Sequence, residues 1–215
     1  IRDEKTAVMD TVDARATDAW MQALEQALGD QAPDYLVVSH VEPDHSANVA
    51  RLAARYPSMQ VVGNAKTFAY LENFFPGAIA AGRRVPVKDG DPLSLGSHTL
   101  HFVFAPMVHW PEVMMTYDTT DKILFSADAF GSFGALNGRI FSDECDFMHE
   151  CIDEARRYYT NIVGKYGPQV QAVLKKAAGL EIKLVCPLHS FVWRQGFGDF
   201  LEKYLKWSSY EPEEN

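Results

Sequence analysis

Tyr35-Leu36-Val37-Val38-Ser39-His40-Val41-Glu42-Pro43-Asp44-His45 is the stretch on which the reading of this chain turns. Its first four residues form an apolar run with the composition of a buried strand. The six residues from His40 to His45 then hold four side chains able to ligate a metal ion. Set side by side at a strand exit, two imidazoles and two carboxylates would repel or strand one another's polar atoms unless a cation gathered them. The mixture of nitrogen and oxygen donors also narrows the choice of cation.

Working outward, short apolar segments recur with turn signals between them, several followed by helical patterns long enough to pack across a sheet. Strands are expected near 6–10, 35–39, 60–63, 99–105, 113–117, 122–126 and 182–186, and helices near 17–28, 46–56, 65–74, 147–164, 168–178 and 196–206. From Asp18 to Leu28, Ala19, Trp20, Ala23, Leu24, Ala27 and Leu28 fall on one face at helical spacing, which predicts an amphipathic helix covering a sheet. The first half alternates strand with helix. Ser97 to Ser126 instead reads as consecutive strands joined by tight turns such as Asp118-Thr119-Thr120-Asp121. An α/β (α+β) chain with a mixed sheet, or two sheets with helices outside, fits this pattern best.

Three further metal-competent residues stand in positions like that of the hexapeptide. His109 follows the strand Leu100 to Ala105, Asp128 follows Ile123-Leu124-Phe125-Ser126, and His189 follows Ile182-Lys183-Leu184-Val185-Cys186-Pro187. Loops leaving one edge of the sheets converge in layered α/β proteins, so four distant segments could present His40, Glu42, Asp44, His45, His109, Asp128 and His189 to one small volume. Four imidazoles and three carboxylates exceed the roughly four ligands of one zinc ion and suit two ions, particularly with one carboxylate bridging. A donor set of nitrogen and oxygen without thiolate favours iron or manganese over structural zinc.

Bulk composition excludes other classes. The chain has 215 residues, 47% of them hydrophobic, which fits one large domain. With 29 acidic and 20 basic residues and a net charge of -9, it lacks the footprint of a nucleic-acid binder. No apolar run is long enough to span a membrane. Cys145, Cys151 and Cys186 show no repeated spacing and read as reduced thiols of a cytoplasmic protein. Cys145, His149 and Cys151 fit no zinc spacing, and His98 and His101 read as ordinary strand residues. The chain opens at Ile1 and enters a strand almost at once, which suggests a fragment with strands missing upstream. Its polar, Pro-bearing end over 208–215 reads as the start of a linker to a further domain.

The pattern H-x-E-x-D-H at 40 to 45, with His109-Trp110-Pro111-Glu112, Ser126-Ala127-Asp128-Ala129-Phe130-Gly131 and His189, resembles the flavodiiron protein family. The resemblance runs from about Asp3 to Trp207. It implies a metallo-β-lactamase-like αββα sandwich over 1–207, in which Glu42 stands where the hydrolases of that fold carry His. It further implies a diiron centre with one iron on His40, Glu42 and His109, the other on Asp44, His45 and His189, and Asp128 bridging. Tyr158 is implied beside the ligands, and Trp110 either shields the site or packs nearby. The implied reaction is reduction of O2 to water, of NO to nitrous oxide, or both. Electrons would come from FMN on a flavodoxin-like domain absent from this chain, and ultimately from rubredoxin or a similar donor. A head-to-tail homodimer is implied as well. Two other readings stay open: a dinuclear zinc hydrolase of the same fold, and a metal-loaded domain serving mainly dimer assembly.

Overall fold

The computed structural model describes residues 1–213, so the far end of the expected linker, 214–215, lies outside the described residues. The chain separates into two compact units, Ile1–Phe102 and Val103–Asn215.

In the first unit, strands β1 (Ala7–Met9), β2 (Tyr35–Val37), β3 (Gln60–Gly63) and β4 (Arg84–Pro86) form a parallel sheet in the order β1-β2-β3-β4. The register sets Met9 opposite Val37 and Val37 opposite Val62. Parallel strands covered on both faces need continuous apolar runs, and Leu36, Val37, Val61 and Val62 are fully buried. Helices α1 (Thr17–Leu28), α2 (Pro43–Ser46), α3 (Val49–Arg55) and α4 (Ala65–Phe74) connect them. Met59, Leu52, Val49 and Val41 join Leu36, Val38 and Val61 in the core of this unit.

Two helices show why they stop and start where they do. The Asn64 side chain accepts from the N–H groups of Lys66 and Thr67 at 2.9 and 3.1 Å, capping α4. The Arg83 guanidinium donates to the carbonyls of Ala53, Tyr56 and Met59 at 2.9, 2.9 and 2.8 Å, taking up acceptors that the end of α3 leaves open. A short hairpin closes the unit: β5 (Pro92–Ser94) pairs antiparallel with β6 (Thr99–Phe104), Leu93 opposite Leu100.

In the second unit β7 (Met114–Asp118) pairs antiparallel with β8 (Ile123–Phe125), and β8 pairs parallel with β9 (Leu184–Cys186). Helices α5 (Phe147–Glu150), α6 (Ile152–Ile162), α7 (Gly167–Ala177) and α8 (Phe197–Ser208) complete it. Its core is aromatic: Trp193 stacks on Phe200 at 4.8 Å, and Tyr204 contacts Tyr159, Phe200 and Trp207 edge-on or tilted. Such ring pairs add about 0.5–1.5 kcal/mol each beyond the area they bury.

The strands and helices read from the sequence are present, with four departures. The helix expected over 46–56 is broken between α2 and α3, because Asn48 turns its amide to the Val12 carbonyl at 2.7 Å and its N–H to the Thr11 hydroxyl. The helix expected over 147–164 is broken at Cys151, where α5 ends and α6 begins, with the Phe147 ring drawn among Phe191, Trp193 and Phe200. Helix α1 buries Met21 and Leu28, with Trp20 and Leu24 half-buried, and leaves Ala19, Ala23 and Ala27 exposed. A methyl group gains little from burial, so the longer side chains set the inward face. Finally, β4 and β5 were not expected.

Candidate metal centre

The exit of β2 is held rigidly before any ligand is considered. Asp10, just past β1 in the left-handed region at φ 53°, donates its N–H to the Val37 carbonyl and accepts the Ser39 N–H on its carboxylate at 2.7 Å. That carboxyl is 2% exposed, and burial pushes its pKa up against the lowering effect of the Ser39 bonds. The His45 carbonyl accepts both the N–H and the hydroxyl of Thr11, at 2.9 and 2.7 Å, and the Ser46 hydroxyl donates to the Val41 carbonyl at 2.7 Å. Between these anchors Glu42 sits at the N-cap of α2, with Pro43 in its first turn.

The four side chains of this loop are arranged as two pairs. His40 Nε2 lies 3.2 Å from Glu42 Oε2, and His45 Nε2 lies 3.3 Å from Asp44 Oδ2, with the two imidazole rings 5.9 Å apart. His40 and His45 are buried; Glu42 and Asp44 are half-buried.

In the second unit three strand ends bring their residues together. His109 lies past β6 in a turn closed by Met107 N–H to the Trp110 carbonyl and Val108 N–H to the Ala105 carbonyl. Asp128 follows β8 and His189 follows β9, and the Leu188 N–H donates to the Ala127 carbonyl at 2.8 Å. The Asp128 side chain is 1% exposed, with Oδ2 at 2.8 Å from His109 Nε2 and Oδ1 at 3.6 Å from His189 Nε2. One carboxylate thus turns a separate oxygen to each of two imidazoles. Buried Tyr158 on α6 donates its hydroxyl to the Asp128 carbonyl at 3.0 Å and sets its ring 5.6 Å from that of His189. Trp110 is half-buried with its ring 6.0 Å from that of His109.

These spacings test the fit of a metal. Two donor atoms each about 2.1 Å from one ion, at tetrahedral or octahedral angles, lie roughly 3.0–3.4 Å apart. The pairs His40–Glu42 and Asp44–His45 fall inside that range, and the two Asp128 contacts bracket it. A hydrogen bond alone would account for any single pair. Four such contacts after β2, β6, β8 and β9, all of imidazole with carboxylate, are the donor chemistry of a metal centre.

Other expectations are equally plain. His149 is turned to solvent with its side chain 84% exposed and contacts Asp146 at 2.8 Å, and it joins no ligand cluster with Cys145 and Cys151 among the described residues. All three cysteines are free thiols. Asp10 and Thr11 were missed from the sequence. Their one signal was a polar pair straight after a strand, which any loop can show.

The family model for the ODP family beta lactamase matches residues 1–190. A flavorubredoxin of Aliivibrio fischeri, named as an anaerobic nitric oxide reductase, is 36% identical over 216 aligned residues, covering 97% of this chain and 42% of that protein. Among solved structures, the flavodiiron protein of Giardia intestinalis superposes with a TM-score of 0.91 at 29% identity, covering 98% of this chain and 51% of that one. The rubredoxin oxygen:oxidoreductase of Desulfovibrio gigas gives a TM-score of 0.90 at 28% identity, covering 99% and 53%. This chain therefore spans about half or less of the length of the proteins it resembles. With two sheets, flanking helices and ligand-type side chains at the strand ends, the chain belongs to the ODP family, as a metallo-β-lactamase-like domain of the flavodiiron kind.

Proposed function

We propose that this chain is the diiron domain of an oxidoreductase that reduces NO, O2 or both. The observation that carries the reading is Asp128, buried, with one carboxylate oxygen toward His109 and the other toward His189. One iron is assigned to His40, Glu42 and His109, the other to Asp44, His45 and His189, with Asp128 bridging. The pairing of His40 with Glu42 and of Asp44 with His45 supports that division.

Charge supports iron over zinc. Three carboxylates and four neutral imidazoles contribute a charge of about -3 to a centre of two divalent ions. Glu42 supplies one of those negative charges where an imidazole would supply none, and an added anion favours the more oxidised state of a redox ion. Zinc has no redox couple for that charge to tune. Two ferrous ions held by these residues would supply two electrons, enough to take two NO to nitrous oxide and water with two protons; O2 to water takes four, so the proposed external donor would supply the remaining two.

The chain's own residues hold that geometry. Asp10, Thr11 and Ser46 fix the loop that carries the first four ligands, and Tyr158 fixes the main chain of the bridging one. Preorganised ligands of this kind lower the reorganisation that a change of oxidation state demands. The electron route belongs to the proposal too: FMN on a flavodoxin-like domain, then rubredoxin or a similar donor, in a cytoplasmic head-to-tail homodimer. The names of the relatives support a flavin and a rubredoxin-type carrier. For membranes the finding is narrower: no helix among the described residues is long and apolar enough to cross one.

The test is metal analysis of protein grown with added iron, followed by NO and O2 consumption when a reduced flavodoxin is supplied. About two irons per chain and turnover of either gas are expected. Two zinc ions without iron, together with phosphodiester hydrolysis above a metal-free control, would replace this reading with a hydrolase.

A further inference from the structure

The loop that carries Asp128 has an unusual backbone. Ala127 and Phe130, neither of them glycine, both lie in the left-handed region, at φ 52° and 68°. Such conformations persist only where the surroundings over-determine them, so the loop's backbone hydrogen bonds need accounting for.

Most of those bonds are local or run to neighbouring strand ends. The Ser126 N–H donates to the Cys186 carbonyl and the Ala129 N–H to the Ser126 carbonyl, while the Ser126 hydroxyl donates to the Ala129 carbonyl. The Ala127 carbonyl accepts from Leu188, and the Asp128 carbonyl accepts from both Gly131 and the Tyr158 hydroxyl. One bond is of a different kind. The Phe130 N–H, deep in the core, donates at 2.9 Å to the phenol oxygen of Tyr204, seventy-four residues along the chain on α8. Tyr204 is 0% exposed, and its ring packs on that of Phe130 at 4.7 Å, while Phe197 meets the Phe130 ring edge-on at 5.0 Å.

We propose that Tyr204 is a positioning residue for the bridging carboxylate. Its hydroxyl and ring lock the left-handed turn at Phe130, so that Asp128 keeps one oxygen toward His109 and the other toward His189. Tyr158 holds the loop at Asp128 itself and Tyr204 holds it two residues later, so the peptide that orients the carboxylate is clamped at both points. Burial pushes the Tyr204 phenol up, so the group that accepts the Phe130 N–H is the protonated hydroxyl. Nothing in the sequence around Tyr204 marks it apart from a helix-face aromatic; only the fold brings it to this loop.

The inference rests on the two-iron reading, and the experiment separates the two. The iron-loaded chain, its Tyr204→Phe variant and a Tyr159→Phe control are compared. Tyr159 belongs to the same ring cluster, 4.9 Å from Tyr204, but its hydroxyl has no hydrogen-bond partner among the described residues, so its removal leaves the loop untouched. Two readouts are taken: the rate of iron loss to a ferrous chelator, and the electron paramagnetic resonance spectrum of the half-reduced, mixed-valent centre. Tyr204→Phe is expected to lose iron about 10- to 100-fold faster and to show a shifted or broadened mixed-valent spectrum, with Tyr159→Phe matching the parent in both. If Tyr204→Phe does not accumulate as folded protein, difluorotyrosine at position 204 keeps the ring and weakens the acceptor, and the same spectral shift is expected in smaller measure. A parent chain without two irons or a mixed-valent signal overturns the two-iron reading itself. A two-iron parent whose spectrum and release rate are unchanged by the substitution at 204 overturns the role of Tyr204 alone.

Discussion

Glu42 is the side chain whose chemical type, more than its position, sets the character of the proposed centre. Its Oε2 lies 3.2 Å from His40 Nε2, and an imidazole in its place would remove a full negative charge from a ligand shell. A unit charge about 4 Å away at an effective dielectric near 20 is worth about 4 kcal/mol. Glu42→His should therefore raise the midpoint potential of the ferric/ferrous couple, by on the order of 100 mV, and raise the zinc content of protein grown in mixed metals. A redox titration monitored by the mixed-valent signal checks the first effect, and an unchanged potential would show that Glu42 lies outside the ligand shell. A second residue-level expectation concerns the thiols. Burial pushes Cys186 up to about 11, so at pH 8 its thiolate fraction is roughly two orders of magnitude below that of a free cysteine. Alkylation of the folded chain by iodoacetamide should be correspondingly slow at Cys186, and mass spectrometry of the labelled peptides would reveal rapid modification if that burial were wrong.

At the scale of elements, glycines on the two sides of α6 and α8 make opposite predictions. A Cβ at Gly131 would come within 2.7 Å of the Tyr158 ring, which is buried and bonded to the Asp128 carbonyl. Gly131→Ala should destabilise by about 1–3 kcal/mol through overpacking. At Gly198, in the first turn of α8, a Cβ meets nothing within 4 Å among the described residues, and Gly198→Ala should stabilise by up to about 1 kcal/mol. Urea midpoints of the two variants moving in the same direction would contradict this packing. Sequence reading fared differently on different elements, for physical reasons. Strands β2 and β3 were readable because burial on both faces demands unbroken apolar runs. Strand β4 was not, because Arg84-Val85-Pro86 is three residues long and ends in proline, which only an edge position tolerates. The breaks at Asn48 and Cys151 were hidden because the apolar spacing runs on through both, and the interruptions come from partners far away in sequence. The same distinction divides the candidate site. Four ligand-type residues within six announce themselves, whereas Asp10 matters only once the parallel register sets Met9 against Val37.

For the whole molecule, each unit carries its own group of ligand-type side chains: His40, Glu42, Asp44 and His45 in the first, and His109, Asp128 and His189 in the second. Each unit has its own apolar cluster, around Leu36, Leu52 and Met59 in one and around Phe147, Phe200 and Tyr204 in the other. Metal binding then contributes to the stability of both, since a ligand that binds only the native state stabilises it by RT ln(1 + [L]/Kd), about 4 kcal/mol at a thousandfold excess over Kd. In a chain of 215 residues each kcal/mol moves the melting midpoint by about 2–4 °C, so stripping the metal should lower it by on the order of 10 °C. Amide exchange gives the sharper outcome. On chelation, protection should fall in the 40–46 loop of the first unit and in the 126–131 loop of the second together, and return together when ferrous iron is added back. Loss confined to one loop would mean that only that unit holds metal, and the ligands proposed in the other would have to be withdrawn.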